Sequence, residues 1–120
     1  MTPQPTDEEL AEHIFEHLCE EQPEALEALS DVEIQRRIRV GIRRAAANGF
    51  TEPEPVTAFV TLMVLVSPGF DQHPAIARAI RAGHGSQAEK LRALFEKTKE
   101  EDWAEAAGLG SWDEAAETRA

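Results

Sequence analysis

The first thirty-three residues contain no lysine or arginine, and the whole chain of 120 residues contains no tyrosine and one cysteine. Each shortage excludes something. A lone Cys19 cannot form a disulfide within the chain. An N-terminus reading "MTPQPTDEEL" offers no basic stretch followed by an apolar one, so it does not read as a secretory signal. Long hydrophobic runs are also missing. The longest, "VTAFVTLMVLV" at 56–66, would reach only about 16 Å as a helix, roughly half of a bilayer core. β-Branched residues are few outside two short runs, and no alternating strand pattern appears. There is no glycine-rich phosphate loop, no paired-cysteine metal pattern and no hydrolase serine motif.

What is present is charge, unevenly placed. Residues 1–33 hold eleven acids, as large a number as the net charge of −11 of the entire chain. Residues 34–49 hold five arginines and no acid. A surface this acidic repels nucleic-acid phosphate and anionic lipid, and suits a basic protein partner. The expected location is the cytoplasm.

Abundant Ala, Glu and Arg favour helices. Ser or Thr followed three residues later by Glu recurs at Thr6/Glu9, Ser30/Glu33, Thr51/Glu54, Ser86/Glu89 and Ser111/Glu114. This is the capping-box spelling, and each instance precedes a stretch that can be helical. Leu10, Ile14 and Leu18, with Ala11 and Phe15, form the apolar stripe of a first helix over about 7–21. Pro23 opens a short second helix. Ile34, Ile38, Ile42 and Ala45 form the stripe of the next, with Gly41 on the same side to allow close approach. That helix should end at "NGF", with Gly49 left-handed and Phe50 folded back. The stretch 56–66 is apolar on nearly every side, which predicts a helix at the centre of a bundle. The last long helix should follow Ser86 and turn Leu91, Leu94, Phe95 and Trp103 inward. The expectation is an all-α fold, a compact bundle of five to six helices around a central apolar helix at about 52–66. Residues 1–5 read as a disordered N-terminus, 6–107 as a single helical domain, and 108–120 as a weakly ordered C-terminal turn or helix.

The stretch "GFTEPEPVTAFVTLMVLVSPGFDQHP" has a recognisable plan. An arginine-rich helix ends at a glycine beside an aromatic, a Thr cap follows, then a helix with "V..FV.LM" and a turn with "P.FD..P". With "LRALFE" and "DWAEA" further on, it resembles small helical bacterial proteins from gene neighbourhoods of type VI secretion and related toxin systems. The likeness covers residues from about 35 to 105. It implies an accessory, adaptor or immunity role, and supplies no catalytic or ligand residues to carry over.

Several residue groups carry candidate chemistry. "HIFEH" at 13–17 matches H-x-x-E-H, in which two His bind zinc and the Glu activates water. At about 100° per residue, His13 and His17 lie some 40° apart with Glu16 on the same side. A catalytic zinc also needs a third protein ligand, a cleft and supporting hydrogen bonds, and nothing in the sequence designates them. The plainer reading is that both His border the apolar stripe. Arg36, Arg37, Arg39, Arg43 and Arg44 suggest a basic helix, and the net charge favours internal balance against the acidic first helices over nucleic-acid binding. In the loop "SPGFDQHP", Asp71 is expected to cap the following helix and Phe70 to plug the core, although loops also carry function. His84, between two glycines, reads as an exposed linker residue, and Cys19 as a small, partly buried side chain.

The sequence thus points to a non-enzymatic protein-interaction domain with no catalytic residues, no metal and no cofactor. Its partner-binding candidates are Glu16, Glu20, Glu21, Glu24 and Glu27, with Asp71 and His73 from the loop. The alternative is a small zinc-dependent hydrolase using His13 and His17 as metal ligands with Glu16. Oligomeric state is left open.

Overall fold

Local capping sets most of the helix starts. A computed structural model describes residues 6–117. In it the Thr6 hydroxyl accepts from the Glu9 N–H at 3.2 Å, and Glu9 reaches back to the Thr6 N–H. Helix α1 (Asp7–Glu21) therefore opens on a complete capping box. A one-turn helix, α2 (Pro23–Leu26), follows. Ser30 caps α3 (Asp31–Ala47) by accepting from the Glu33 N–H. The Glu33 carboxylate does not complete the box, because Arg36 and Arg37 both donate to it.

The Thr51/Glu54 pair departs from expectation. Helix α4 (Pro53–Leu65) has Glu52 at its cap position with no side-chain cap of its own. Instead the Gln87 side-chain oxygen accepts from the Thr51 and Glu52 N–H groups at 2.7 and 2.8 Å. A distant residue thus does what the local box was expected to do. The turn after α4 contains a single 3-10 segment (Phe70–Gln72), and α5 (Pro74–Ala82) follows it.

Helix α6 (Gln87–Glu96) begins on the complete Ser86/Glu89 box. The expected last long helix then breaks at Lys97–Lys99. There the Thr98 hydroxyl turns back to the Leu94 carbonyl and accepts from the Trp103 indole. Asp102 accepts from the Lys99 N–H and restarts the chain as α7 (Glu100–Ala106). Helix α8 (Trp112–Ala115) is capped by Ser111. The described residues therefore form an all-α fold of eight α-helices and no strand, more than the five or six expected. The surplus comes from one-turn helices and from the Lys97–Lys99 break.

Helix α4 lies in the middle, with α1, α3 and α6 packed against it. Val56, Phe59, Val60 and Met63 are buried, and so are Ile34, Ile38 and Ile42 of α3 and Leu10, Ile14 and Leu18 of α1. The crossing of α3 and α4 depends on Gly41. A Cβ there would stand 2.8 Å from a Val60 methyl, inside any normal contact distance. Two threonines in this apolar helix need no outside partner, because Thr57 and Thr61 donate to carbonyls four residues back.

Helix α3 ends as its sequence predicts. Gly49 takes φ +90°, its N–H donates to Ala46, and the Phe50 N–H donates to Ala45. This closes the two-bond left-handed cap and drives Phe50 into the core. From Phe50 a row of rings crosses the molecule through Phe59, Phe70, Trp103 and Phe95, with centroids 5.9, 5.0, 5.7 and 5.8 Å apart. The row corrects one expectation: Phe95 is its outer end and is 48% exposed rather than turned inward.

The described part of 108–120 includes α8, which packs on α3. Arg36 donates to Asp113 at 2.6 Å, the Arg37 guanidinium lies 5.2 Å from the Trp112 ring centre, and Ala115 is buried. The expected disordered stretch at 1–5 lies outside the described residues, as do 118–120.

Glu33 organises this junction. The hydrogen bond from Arg37, helped by the charge and hydrogen bond of Arg36, holds its carboxyl below the ordinary value of 4.5. A depressed carboxyl contributes stability that is present above its unfolded value and is lost as pH falls through its folded one. The melting-temperature gap between wild type and Glu33→Gln should therefore hold steady near neutrality and narrow once pH drops below 4.5. A gap that widens on acidification would contradict this assignment.

Candidate functional site

The acidic face is built by helix periodicity. Glu8, Glu12, Glu16 and Glu20 recur every four residues, so they line one side of α1 at intervals of about 6 Å. Glu21, Glu24 and Glu27 carry the charge on through α2, and all seven are exposed. Like charges four apart each weaken a helix by about 0.2–0.5 kcal/mol. Among the described residues, no ion pair within 4.0 Å involves any of these seven glutamates.

The arginines of α3 do less to balance this face than expected. Arg36 and Arg37 pair with Glu33, Arg36 also with Asp113, and Arg44 with Asp71. Arg39 and Arg43 line grooves shared with α1. The reason is partly angular. At about 100° per residue, Arg37 and Arg44 project about 100–160° away from Arg39 and Arg43, whereas Arg36 projects close to Arg43 and is drawn off by Glu33 and Asp113. The larger groove, of about 380 Å³, has Glu8, Glu12 and Glu16 on one wall, Gln35 and Arg39 on the other, and Ala11 and Phe15 between.

Within "HIFEH", His13 and Glu16 are exposed and His17 is half-buried. Among the described residues, no group of three metal-capable side chains forms around this pair. Cys19, expected to be partly buried, is exposed.

The loop residues separate into two structural roles. The Asp71 side chain is only 6% exposed. Its carboxylate accepts from Arg44 Nε and Nη2 at 2.8 and 2.9 Å and from Asn48 Nδ2 at 2.9 Å. This two-pronged contact pins the 3-10 turn to the end of α3. It corrects one expectation, since Asp71 does not cap α5, and its carboxylate is held inside the fold by Arg44 and Asn48. The 3-10 turn aims Asp71 inward, which leaves the cap to His73. His73 has extended backbone immediately before Pro74, and its Nδ1 accepts from the Ala75 N–H at 3.2 Å.

That cap fixes the tautomer. A nitrogen that accepts has no proton, so in the neutral ring the proton sits on Nε2. Nε2 then donates to Glu105 Oε1 at 2.9 Å. His73 therefore ties α5 to α7 and is largely buried, with 11% of its side chain exposed. The 3-10 turn that precedes it packs on α5 and α7, whereas α1 packs on α2, α3 and α4. His73 and the glutamates of α1 and α2 thus belong to different parts of the molecule.

Asp102 and Glu105 were not singled out by the sequence. Together with His73 they place three ligand-capable atoms within 4.8 Å of one another. The signal was weak: the two acids are three apart on α7, and about thirty positions separate them from the histidine. Set against known proteins, the chain matches no protein-family model, no curated protein and no solved structure.

Proposed function

We propose that the chain is a non-enzymatic protein-interaction domain that docks a basic partner on the acidic face of α1 and α2. The observation that carries this reading is the row of exposed glutamates that, among the described residues, form no ion pair within 4.0 Å. Clustered like charge opposes folding, and a complementary positive surface relieves it on association. Glu16, Glu20, Glu21, Glu24 and Glu27 are the proposed contacts, extended along α1 by Glu8 and Glu12. The groove beside Phe15 gives the partner an apolar foothold between charged walls. An accessory, adaptor or immunity role in a bacterial secretion or toxin system rests on the resemblance of residues 35–105. A cytoplasmic setting belongs to the same proposal. Among the described residues, no helix is long and apolar enough to cross a membrane.

Complementary charge acts mainly on the rate of encounter. Association with a captured partner should slow as salt rises past about 0.15 M, where the screening length is about 8 Å. The triple substitution Glu20→Gln, Glu24→Gln and Glu27→Gln should slow association about tenfold at low salt and change dissociation little. Its melting temperature should hold or rise, because repulsion within the face is reduced. A partner whose binding ignores both salt and the triple substitution would remove the acidic face from the interface.

A further inference from the structure

We propose that His73, Asp102 and Glu105 form a binding site for one divalent metal ion of the zinc class. The ligand atoms of these three side chains all lie within 4.8 Å of one another. Ligands held at about 2.0–2.2 Å from a shared zinc stand about 3–4 Å apart, so side-chain adjustment alone closes the site. Asp102 and Glu105 are one turn apart on α7 and face the same way. The imidazole faces them from the start of α5, with its ring nearly enclosed. One imidazole and two carboxylates suit zinc and its neighbours in the transition series better than magnesium or calcium.

Charge favours an ion here for a reason separate from geometry. Asp102 and Glu105 share a small volume, and Glu100 and Glu101 add to the same first turn. Among the described residues, no lysine or arginine pairs with either carboxylate within 4.0 Å. The contact that Glu105 makes is to the His73 imidazole, whose Nδ1 accepts from the Ala75 N–H. A divalent cation supplies the missing positive charge.

The three ligands keep spare capacity. One Asp102 oxygen accepts from the Lys99 N–H, which leaves the other for the ion. Glu105 is 68% exposed on its side chain and free to pivot. At His73 the ion takes Nε2, and the proton now on Nε2 moves to Nδ1. Nδ1 then no longer accepts from Ala75. Metal binding is thereby coupled to release of the 3.2 Å cap at the start of α5. Three protein ligands leave a fourth position for water or for a side chain of another molecule.

The test is calorimetric titration of the full chain with zinc chloride in metal-free buffer, alongside NMR of the histidine ring nitrogens. One equivalent of zinc should bind. His73→Ala and Glu105→Gln should each weaken binding by about tenfold or more. Glu105→Gln keeps an acceptor for Nε2–H, so its fold and melting temperature should be retained. The double variant His13→Ala/His17→Ala should titrate like wild type. On adding zinc, the His73 ring proton should pass from Nε2 to Nδ1, and exchange of the Ala75 amide should quicken. The proposal is overturned by any of four results: no saturable binding at millimolar zinc, affinity unchanged in Glu105→Gln, binding lost with His13 and His17, or an unchanged His73 tautomer in the zinc-bound protein.

Discussion

Arg44→Ala should destabilise the protein by about 3–5 kcal/mol, because it strands a buried carboxylate. Asp71 is held by two prongs of one guanidinium and by the Asn48 amide. Removing the arginine leaves the charge with the amide alone, in a site where the Asp71 side chain is 6% exposed. Removing the acid instead takes the two-pronged contact away from Arg44, whose side chain is 14% exposed, so Asp71→Ala should also destabilise the protein. Lysine is a poor substitute, since a single ammonium cannot span both carboxylate oxygens in the fork geometry. Replacing both residues with apolar ones of similar size should cost far less than either single change, because no charge is left unpaired. Urea midpoints of the four proteins decide the matter. If Arg44→Ala unfolded at the wild-type midpoint, the 3-10 turn would not depend on this pair.

Val60→Asp should prevent folding. Val60 is fully buried at the crossing of α3 and α4, with Gly41 directly against it. An aspartate there has no cation to meet, and burying a charge without a partner costs several kcal/mol. A domain of this size has about 5–15 kcal/mol in total, and disrupting the central contact at the same time draws on the same reserve. The expected outcome is aggregation or a disordered chain by far-UV circular dichroism. Val60→Ala, which only removes methyls, should remain folded with a lowered melting temperature. A Val60→Asp protein that melted like wild type would show that α4 is not central.

Residues differ in how much of their role the sequence discloses, and the difference follows the distance to their partners. Helix α3 was legible in its core face and its end: Ile34, Ile38 and Ile42 share a face, Gly41 sits where α4 crosses, and Gly49 with Phe50 ends the helix. Thr6, Ser30, Ser86 and Ser111 were legible as caps because each acts on a backbone group three residues away. Thr51 misled because the relevant acceptor is Gln87, on another helix. Asp71 misled in the same way, since its strongest partner lies 27 residues back. The glutamates of the acidic face were predictable as exposed surface on charge density alone. The meeting of His73 with Asp102 and Glu105 was not, because it arises only when α7 folds against the start of α5.

The two tryptophans, one inside the aromatic row and one outside it, give the protein two built-in optical probes. With no tyrosine and two tryptophans, all the intrinsic emission comes from residues 103 and 112. Trp103 is stacked between Phe70 and Phe95 and tethered through its indole to Thr98, so its emission reports whether α7 sits on the core. Trp112 lies beneath the Arg37 guanidinium and reports whether α8 sits on α3. Replacing either one with phenylalanine leaves a single-wavelength readout of the other junction. Detachment of the C-terminal helix can then be followed separately from collapse of the centre, without attaching a dye.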